Sequence, residues 1–305
     1  QYFSISTPMD ITTALDKFCD YSQYMRGYSR DTIKRYRGTV RLLQRFLHVC
    51  NLEECTESKT REFFYHGRQV QHWAPNSFIT YHKSLSVFFR WCVSQGYIQT
   101  NPTDDMEMPK TEKKLPSKLT KQEALRLLEI VYNYPYPYTY QRYRNYAIFA
   151  TFVFAGLRKS ELLRLKMVDV DLANQSIYVH QGKGSKDRIV PISSTLVGIL
   201  QRYLEQRARL HKTCPEFFTS LNRNMGFTET GMKRLVEFAR NASGIPFSVH
   251  KLRHTFATLM LEGGCDIFSL SKMLGHSDIK TTTIYLAASP EHLRSQMRKH
   301  PLNDF

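Results

Sequence analysis

The phrases VHKLRHTFATLM (residues 249–260), KMLGHS (272–277) and TTTIYLAAS (281–289) decide how this chain is read. They hold His250, Arg253, His276 and Tyr285, a set of imidazole, guanidinium and phenol groups. A phenol can attack phosphorus, and positive donors can hold the charge that develops on phosphoryl oxygens, so the set points to chemistry on a phosphodiester. His250 and Arg253 differ by three and share one face of a helix starting near a Ser248 cap, with Leu252, Phe256 and Leu259 on a separate buried stripe. His276 follows Gly275, the expected stop of the helix DIFSLSKML, and Tyr285 lies near the end of a short helix beyond it. His254 is four residues past His250, but no helical Glu accompanies the pair as in HExxH, so no metal site is expected. Taken singly these are ordinary residues, and a tyrosine at such a place is more often core than nucleophile. The ordered set carries the reading.

The bulk numbers agree with a nucleic-acid partner. The chain has 305 residues, room for two domains of ordinary size, and 42% hydrophobic with 23% charged residues describes a globular protein. Lys and Arg number 43 against 27 Asp and Glu, a formal charge of +16, and the pI is near 9.6. A balance this basic points to a polyanion. No apolar run approaches a membrane span, so no membrane is expected as a partner. Six cysteines are scattered with no CxxC pair, which reads as free thiols in a reducing cytoplasm. The chain opens on Gln1 rather than Met, so the native N-terminus is taken as trimmed.

Upstream, two blocks are joined by a polar linker. The first, from about Ile11 to Thr100, reads as all helix. One helix from Asp31 to about Val49 places Ile33, Tyr36, Val40, Leu43 and Leu47 on an apolar stripe. Arg30, Lys34, Arg37, Arg41 and Arg45 rise on a separate face with almost no interleaved acids, a pattern suited to a phosphate backbone. Another helix from about Asn76 to Ser94 buries Phe78, Tyr81, Leu85, Phe88 and Cys92, leaving His82, Lys83 and Arg90 off the stripe as further candidate DNA contacts. The linker MEMPKTEKKLPSK has two prolines and no apolar periodicity, and its Lys113 and Lys114 are candidate backbone contacts.

The second block mixes helix and strand. Thr120 and Glu123 form a capping-box signal. Seven tyrosines between 132 and 146, interrupted by prolines, read as a loop; a structural insertion is favoured there over a base-stacking platform. A helix is expected to resume near Asn145 with AIFATFVFAGL. The alternation SIYVHQGKGSKDRIVPI marks a β-hairpin turning at Gly182-Lys183-Gly184, and the remainder from about Leu196 to Pro301 reads as helices. Arg158, in AGLRKSELLRL, has Glu161 three residues on; alone it is a surface residue or half of a helix ion pair, as Lys183 alone is a turn lysine.

In order, Arg158, Lys183, His250, Arg253, His276 and Tyr285 resemble the signature of the tyrosine recombinase (integrase) family, including its Xer-type members. GLRKSEL, GKGSKDRIVP, HKLRHTFAT, LGHS and TTTIYLAAS carry the resemblance, which spans about Lys118 to Ser289. It implies a mainly α fold with a small β-sheet: a helical, SAM-like core-binding domain over 8–105, a basic linker over 106–118, and a mixed α/β catalytic domain over 119–305. The two domains would form a C-shaped clamp on DNA, and the tail SPEHLRSQMRKHPLNDF would dock on a neighbouring protomer.

The resemblance also implies a mechanism. Tyr285 attacks the scissile phosphate and forms a 3′-phosphotyrosyl link, His250 is the candidate base, and Arg158, Arg253 and His276 hold the developing charge. Lys183 protonates the departing 5′-oxygen as general acid, and Glu161 orients Arg158. No cofactor, metal or ATP is called for. The partner is double-stranded DNA with inverted-repeat core sites, bound by a homotetramer on synapsed duplexes and by a monomer or dimer when free, in the cytoplasm at the nucleoid. Integration or excision of a mobile element and Xer-type resolution both fit. A type IB topoisomerase-like enzyme uses nearly the same groups, and a DNA-binding regulator with an idle catalytic domain is the reading from another class.

Overall fold

Caps and apolar stripes lay out the helices of the first unit. The computed structural model describes residues 8–111, 117–180, 187–276, 278–287 and 294–295. The chain separates into two units, Gln1–Lys113 and Lys114–Phe305. In the first, Asp10, Ser29 and Thr56 each accept a backbone N–H and open α1 (Ile11–Asp20), α2 (Arg30–Leu47) and α3 (Glu57–Gln69). A single π-helical turn, Tyr21–Met25, continues α1. Pro75, which has no N–H to lose, starts α4 (Pro75–Ser94). Phe18, Val40, Leu43, Leu85, Phe88 and Phe89 are buried where α1, α2 and α4 meet. Each such side chain contributes about 1.5–3 kcal/mol on leaving water.

The second unit is built around one helix with no polar face. Thr120 and Glu123 close a capping box on α5 (Lys121–Asn133), and α6 (Thr139–Ala155) follows. Ala147, Ile148, Phe149, Ala150, Phe152 and Ala155 are all fully buried, as expected of a helix packed on several sides. Around it lie α5, α8 (Ser194–Arg209) and α10 (Val249–Glu262). Between α6 and α8 come the short α7 (Lys159–Arg164) and a three-stranded antiparallel sheet of β1 (Val170–Asp171), β2 (Ser176–Val179) and β3 (Arg188–Pro191). Ile177 pairs with Val190 on the inner face and Tyr178 with Ile189 on the outer, the period-two alternation of a half-buried hairpin. Then α9 (Glu229–Ser243) precedes α10, and α11 (Ile267–Leu274) and α12 (Lys280–Ala287) complete the described helices.

Several expectations from the sequence change in detail. The two prolines interrupt only residues 134–138, and α6 begins at Thr139, so Tyr140, Tyr143 and Tyr146 are helical. Tyr140 is buried with its hydroxyl on the Thr219 carbonyl, while Tyr134 packs edge-on and Tyr136 at a tilt against Phe238. Residues 210–228 are not helical. They form an extended excursion pinned by Arg207, whose guanidinium donates to the carbonyls of Lys212, Cys214 and Glu216, and by bridges Lys166↔Glu216 and Thr219↔Gly226. The stretch read as a linker packs at both ends. Met106 lies against the first unit's core, and Lys118 pairs with Glu262 at 2.6 Å beside the buried Leu119. Lys113, Lys114, the hairpin turn at 181–186 and the tail beyond 287, apart from 294–295, lie outside the described residues.

Gly156 shows how tightly α6 and α10 are fitted. It ends α6 at φ +61°, and a Cβ added there would lie 2.2 Å from the Phe256 ring. Strain in the left-handed region and the clash with a buried ring should each cost about 1–3 kcal/mol. We expect Gly156→Ala to destabilise the second unit by about 2–4 kcal/mol in urea unfolding, and Gly244→Ala, which has positive φ but open space, by about 1 kcal/mol.

Candidate active site

The site forms where the C-terminal ends of α6 and α11 meet α10. Both helices stop at glycines in the left-handed region, Gly156 and Gly275, whose turns present carbonyls to the same place. Arg253, on α10 and only 3% exposed, donates to Gly156 O at 2.7 Å and to Leu274 O at 2.6 Å. Its Nη2 also lies 3.3 Å from His276 Nε2. Burial, then the charge of Arg158, pulls the Arg253 pKa down to about 10, so it remains a cation at neutral pH.

Arg158 stands between α6 and α7. Its Nη1 donates to Glu161 Oε1 at 2.7 Å and its Nη2 to Gly275 O at 3.2 Å, which aims the guanidinium at the His276 turn. Glu161 is buried and also meets a second guanidinium, that of Arg188 on β3, through two bonds of 2.9 Å. Arg188 Nε donates to Met273 O at 2.7 Å, tying the sheet to the end of α11. Burial alone would raise the Glu161 pKa, but the bonds and charge of Arg188, then those of Arg158, hold it down to about 2.

The histidines differ from one another. His276 places Nδ1 2.8 Å from the buried Thr282 Oγ1, and with Nε2 accepting from Arg253 the ring carries its proton on Nδ1. Burial, then Arg253, lowers its pKa to about 4. His250 is exposed, and partial desolvation, then Arg253 and Arg158, lowers its pKa as well. Tyr285 is 2% exposed, and its hydroxyl lies 2.8 Å from Nδ1 of His254, one turn beyond His250. Burial raises the phenol's pKa, opposed by Arg253 and Arg158.

The structure therefore brings Arg158, Glu161, Arg253, His276 and Tyr285 around one point, with His250 on the rim of an adjoining cleft of about 780 Å³. Arg158, Lys159, Lys233, Arg240 and Arg253 line that cleft against two carboxylates, Glu229 and Glu237, so cations outnumber acids there. Lys183 lies outside the described residues; the strands on either side of it are in place, and His180, at the end of β2, is held by the buried Asp169 at 2.7 Å. Arg188 was not among the residues singled out from sequence, and His254 was weighed there only as half of a metal pair. A period-two reading could have found Arg188, because it shares the inner face with Val190, where an isolated charge needs a partner.

In the first unit Arg30, Lys34, Arg41 and Arg45 are exposed along α2, as the spacing requires, and so are Lys83 and Arg90 on α4. Arg37 is engaged by Asp16 of α1, an acid the reading of α2 alone could not supply. His82 is turned inward, with Nε2 2.9 Å from Thr103 O and its ring beside Phe64.

Because Glu161 is depressed, its stabilising effect is complete above the free-carboxyl pKa of 4.5 and is lost as pH falls through about 2. We expect Glu161→Gln to lower unfolding stability by up to about 3 kcal/mol at pH 7. The gap to the unsubstituted protein should shrink between pH 4.5 and 2.

A model described as Phage integrase family matches residues 117–292, and one described as Phage integrase, N-terminal SAM-like domain matches 15–99. Tyrosine recombinase XerC of Oceanobacillus iheyensis is 30% identical over 300 residues, covering 94% of this chain and 95% of the relative. Tyrosine recombinase XerD of Listeria monocytogenes is 32% identical over 301 residues, covering 94% and 98%. Among solved structures, the crystal structure of XerA recombinase is 29% identical with a TM-score of 0.53, covering 96% and 99%. The Tn1549 transposon integrase in complex with transposon right end DNA shares the fold at a TM-score of 0.74 and 20% identity, covering 96% and 99%. With more than half the chain inside the family model and relatives this similar over nearly their whole length, the chain belongs to the phage integrase family of tyrosine recombinases and is a site-specific recombinase that breaks and rejoins DNA.

Proposed function

We propose that the second unit carries out this reaction through Tyr285, which attacks the scissile phosphate of double-stranded DNA and forms a 3′-phosphotyrosyl link. The observation that carries the reading is the convergence of Arg158, Arg253 and His276 on the turn at Gly275, beside the helix bearing Tyr285. Guanidinium groups fixed by carbonyls before substrate arrives need no rearrangement to receive the charge of the phosphorane, and electrostatic preorganisation of this kind is worth several kcal/mol. His250, read from the sequence as the candidate base, lies on the cleft rim rather than on the phenol, and is proposed instead to bond a phosphoryl oxygen. Lys183 is proposed, on its place in the motif, to protonate the leaving 5′-oxygen. The phosphotyrosine conserves the energy of the broken bond, so the 5′-hydroxyl of a partner duplex can displace Tyr285 and complete strand exchange.

The first unit, with its SAM-like match, is the proposed core-binding domain, and the exposed cations of α2 are its backbone contacts. Exchange between two duplexes at inverted-repeat core sites needs four cleavages, hence four copies on the synapsed DNA, assembled from monomers or dimers. Arg37, neutralised by Asp16, contributes least.

A duplex selected from a random pool by the protein itself, nicked beside the candidate cleavage phosphate so that the short fragment diffuses away, tests the reading. We expect a covalent adduct on a denaturing gel without added metal. The adduct should be absent in Tyr285→Phe while band-shift affinity stays within about threefold of the starting protein, a difference of less than about 1 kcal/mol. An adduct that survives Tyr285→Phe sinks the assignment. For the first unit, Lys34→Gln and Arg41→Gln should each reduce the slope of log affinity against log salt by about 1, and Arg37→Gln by about half that or less. Equal effects at all three positions would show that α2 does not face the backbone as proposed.

A further inference from the structure

The phenol of Tyr285 is bonded to His254, which is not among the six residues given roles above. Resting on the reading of Tyr285 as nucleophile, we propose that His254 takes the phenolic proton as the tyrosine oxygen bonds to phosphorus.

The geometry sets the direction of the bond. Tyr285 is 2% exposed and its oxygen lies 2.8 Å from His254 Nδ1. A buried hydroxyl hydrogen without an acceptor costs about 1–3 kcal/mol. The phenol therefore donates, Nδ1 carries the lone pair, and Nε2 carries the ring proton. That is the tautomer a general base must have, already in contact with the proton to be removed. The rings of His250 and His254 meet edge-on at 4.3 Å between centroids, which fixes the plane of the His254 ring.

The charged and titratable groups facing His254 are His250 and Arg253 on its own helix, His276 on the turn after α11, and Tyr285 on α12. Burial, then His250 and Arg253, lowers the His254 pKa to about 4, so the ring is neutral and free to accept over the whole physiological range. So weak a base cannot ionise a resting phenol. It can take the proton during attack, because the phenol grows strongly acidic as its oxygen bonds to phosphorus. The negative phosphorane arriving beside Arg253 and Arg158 then offsets the repulsion a cationic His254 would otherwise feel. The Tyr285 O–H bond breaks with its proton passing to Nδ1, and an oxygen electron pair forms the bond to phosphorus. The bond from phosphorus to the 5′-oxygen breaks with its pair on that oxygen, which takes a proton from the general acid. In rejoining, the proton on His254 returns to the departing phenolate.

The test uses the full chain under single-turnover conditions on the nicked duplex at saturating protein, between pH 6 and 9. We expect His254→Asn to cleave about a hundredfold more slowly or worse, with the adduct still on Tyr285. Its rate should climb about tenfold per pH unit, as hydroxide replaces the histidine, where the unsubstituted protein is nearly flat. Added imidazole should restore part of the rate of His254→Ala. Band shifts and thermal unfolding check that each variant binds and folds; His254→Gln replaces any that does not. A rate within threefold and an unchanged profile overturns the proposal, as does a slow, pH-independent rate deaf to imidazole, which marks a packing role. A faster variant overturns it too, since His254 would then restrain the phenol. Failure of the unsubstituted protein to form an adduct at Tyr285 removes the reading on which the proposal rests.

Discussion

Everything at the site depends on keeping three guanidinium groups, those of Arg158, Arg188 and Arg253, close together. The charges of Arg158 and Arg188 both bear on Arg253, yet among the described residues one carboxylate, Glu161, is bonded to Arg158 and Arg188. The remaining compensation comes from main-chain carbonyls at helix C-termini: Gly156 after α6, and Met273, Leu274 and Gly275 at the end of α11. These oxygens have no partner within their own helices and carry the negative end of the helix dipole, so cations sit against them at a gain. The arrangement neutralises part of the charge while leaving guanidinium N–H groups available for a phosphate.

The same solution constrains the backbone. Carbonyls can be gathered at one point only if α6 and α11 stop abruptly, and both stop on a glycine with positive φ. The glycines are also required by what lies over them. A side chain at 156 would enter the Phe256 ring, and one at 275 would come within 2.8 Å of Arg188. Helix termination, core packing and charge placement are thus set by the same two residues, and a change at either disturbs all three.

The sequence made legible what is local. The stripes of α2 and α4, the Thr120 and Ser248 caps, the hairpin and the Gly275 stop all follow from spacing within one element. The ordered motif named residues of the second unit that the structure gathers around the Gly275 turn. What escaped depends on contacts between distant residues. Arg188 reaches Glu161 across 27 positions and Met273 across 85. Asp16 reaches Arg37 across 21, and the excursion at 210–228 is held by Arg207 and by Thr219 rather than by any periodicity of its own. The tyrosine tract misled because prolines were given the whole stretch, when Pro135 and Pro137 interrupt only their own turn and Tyr140 has a buried partner to pull it into α6.

His254 was seen from sequence only as a possible half of a metal pair, because one helix was considered at a time. On α10 it is merely the residue after Arg253; its meaning comes from α12, which lays Tyr285 across it. The consequence is electrostatic. Burial first, and neighbouring positive charge after it, lowers the pKa of His250, His254 and His276 alike. At neutral pH the site's fixed positive charge is therefore carried by arginine, and the imidazoles are left as neutral groups that can accept a proton. Burial and the arginine field act in the same direction, so the site leaves its histidines as neutral groups rather than as additional cations.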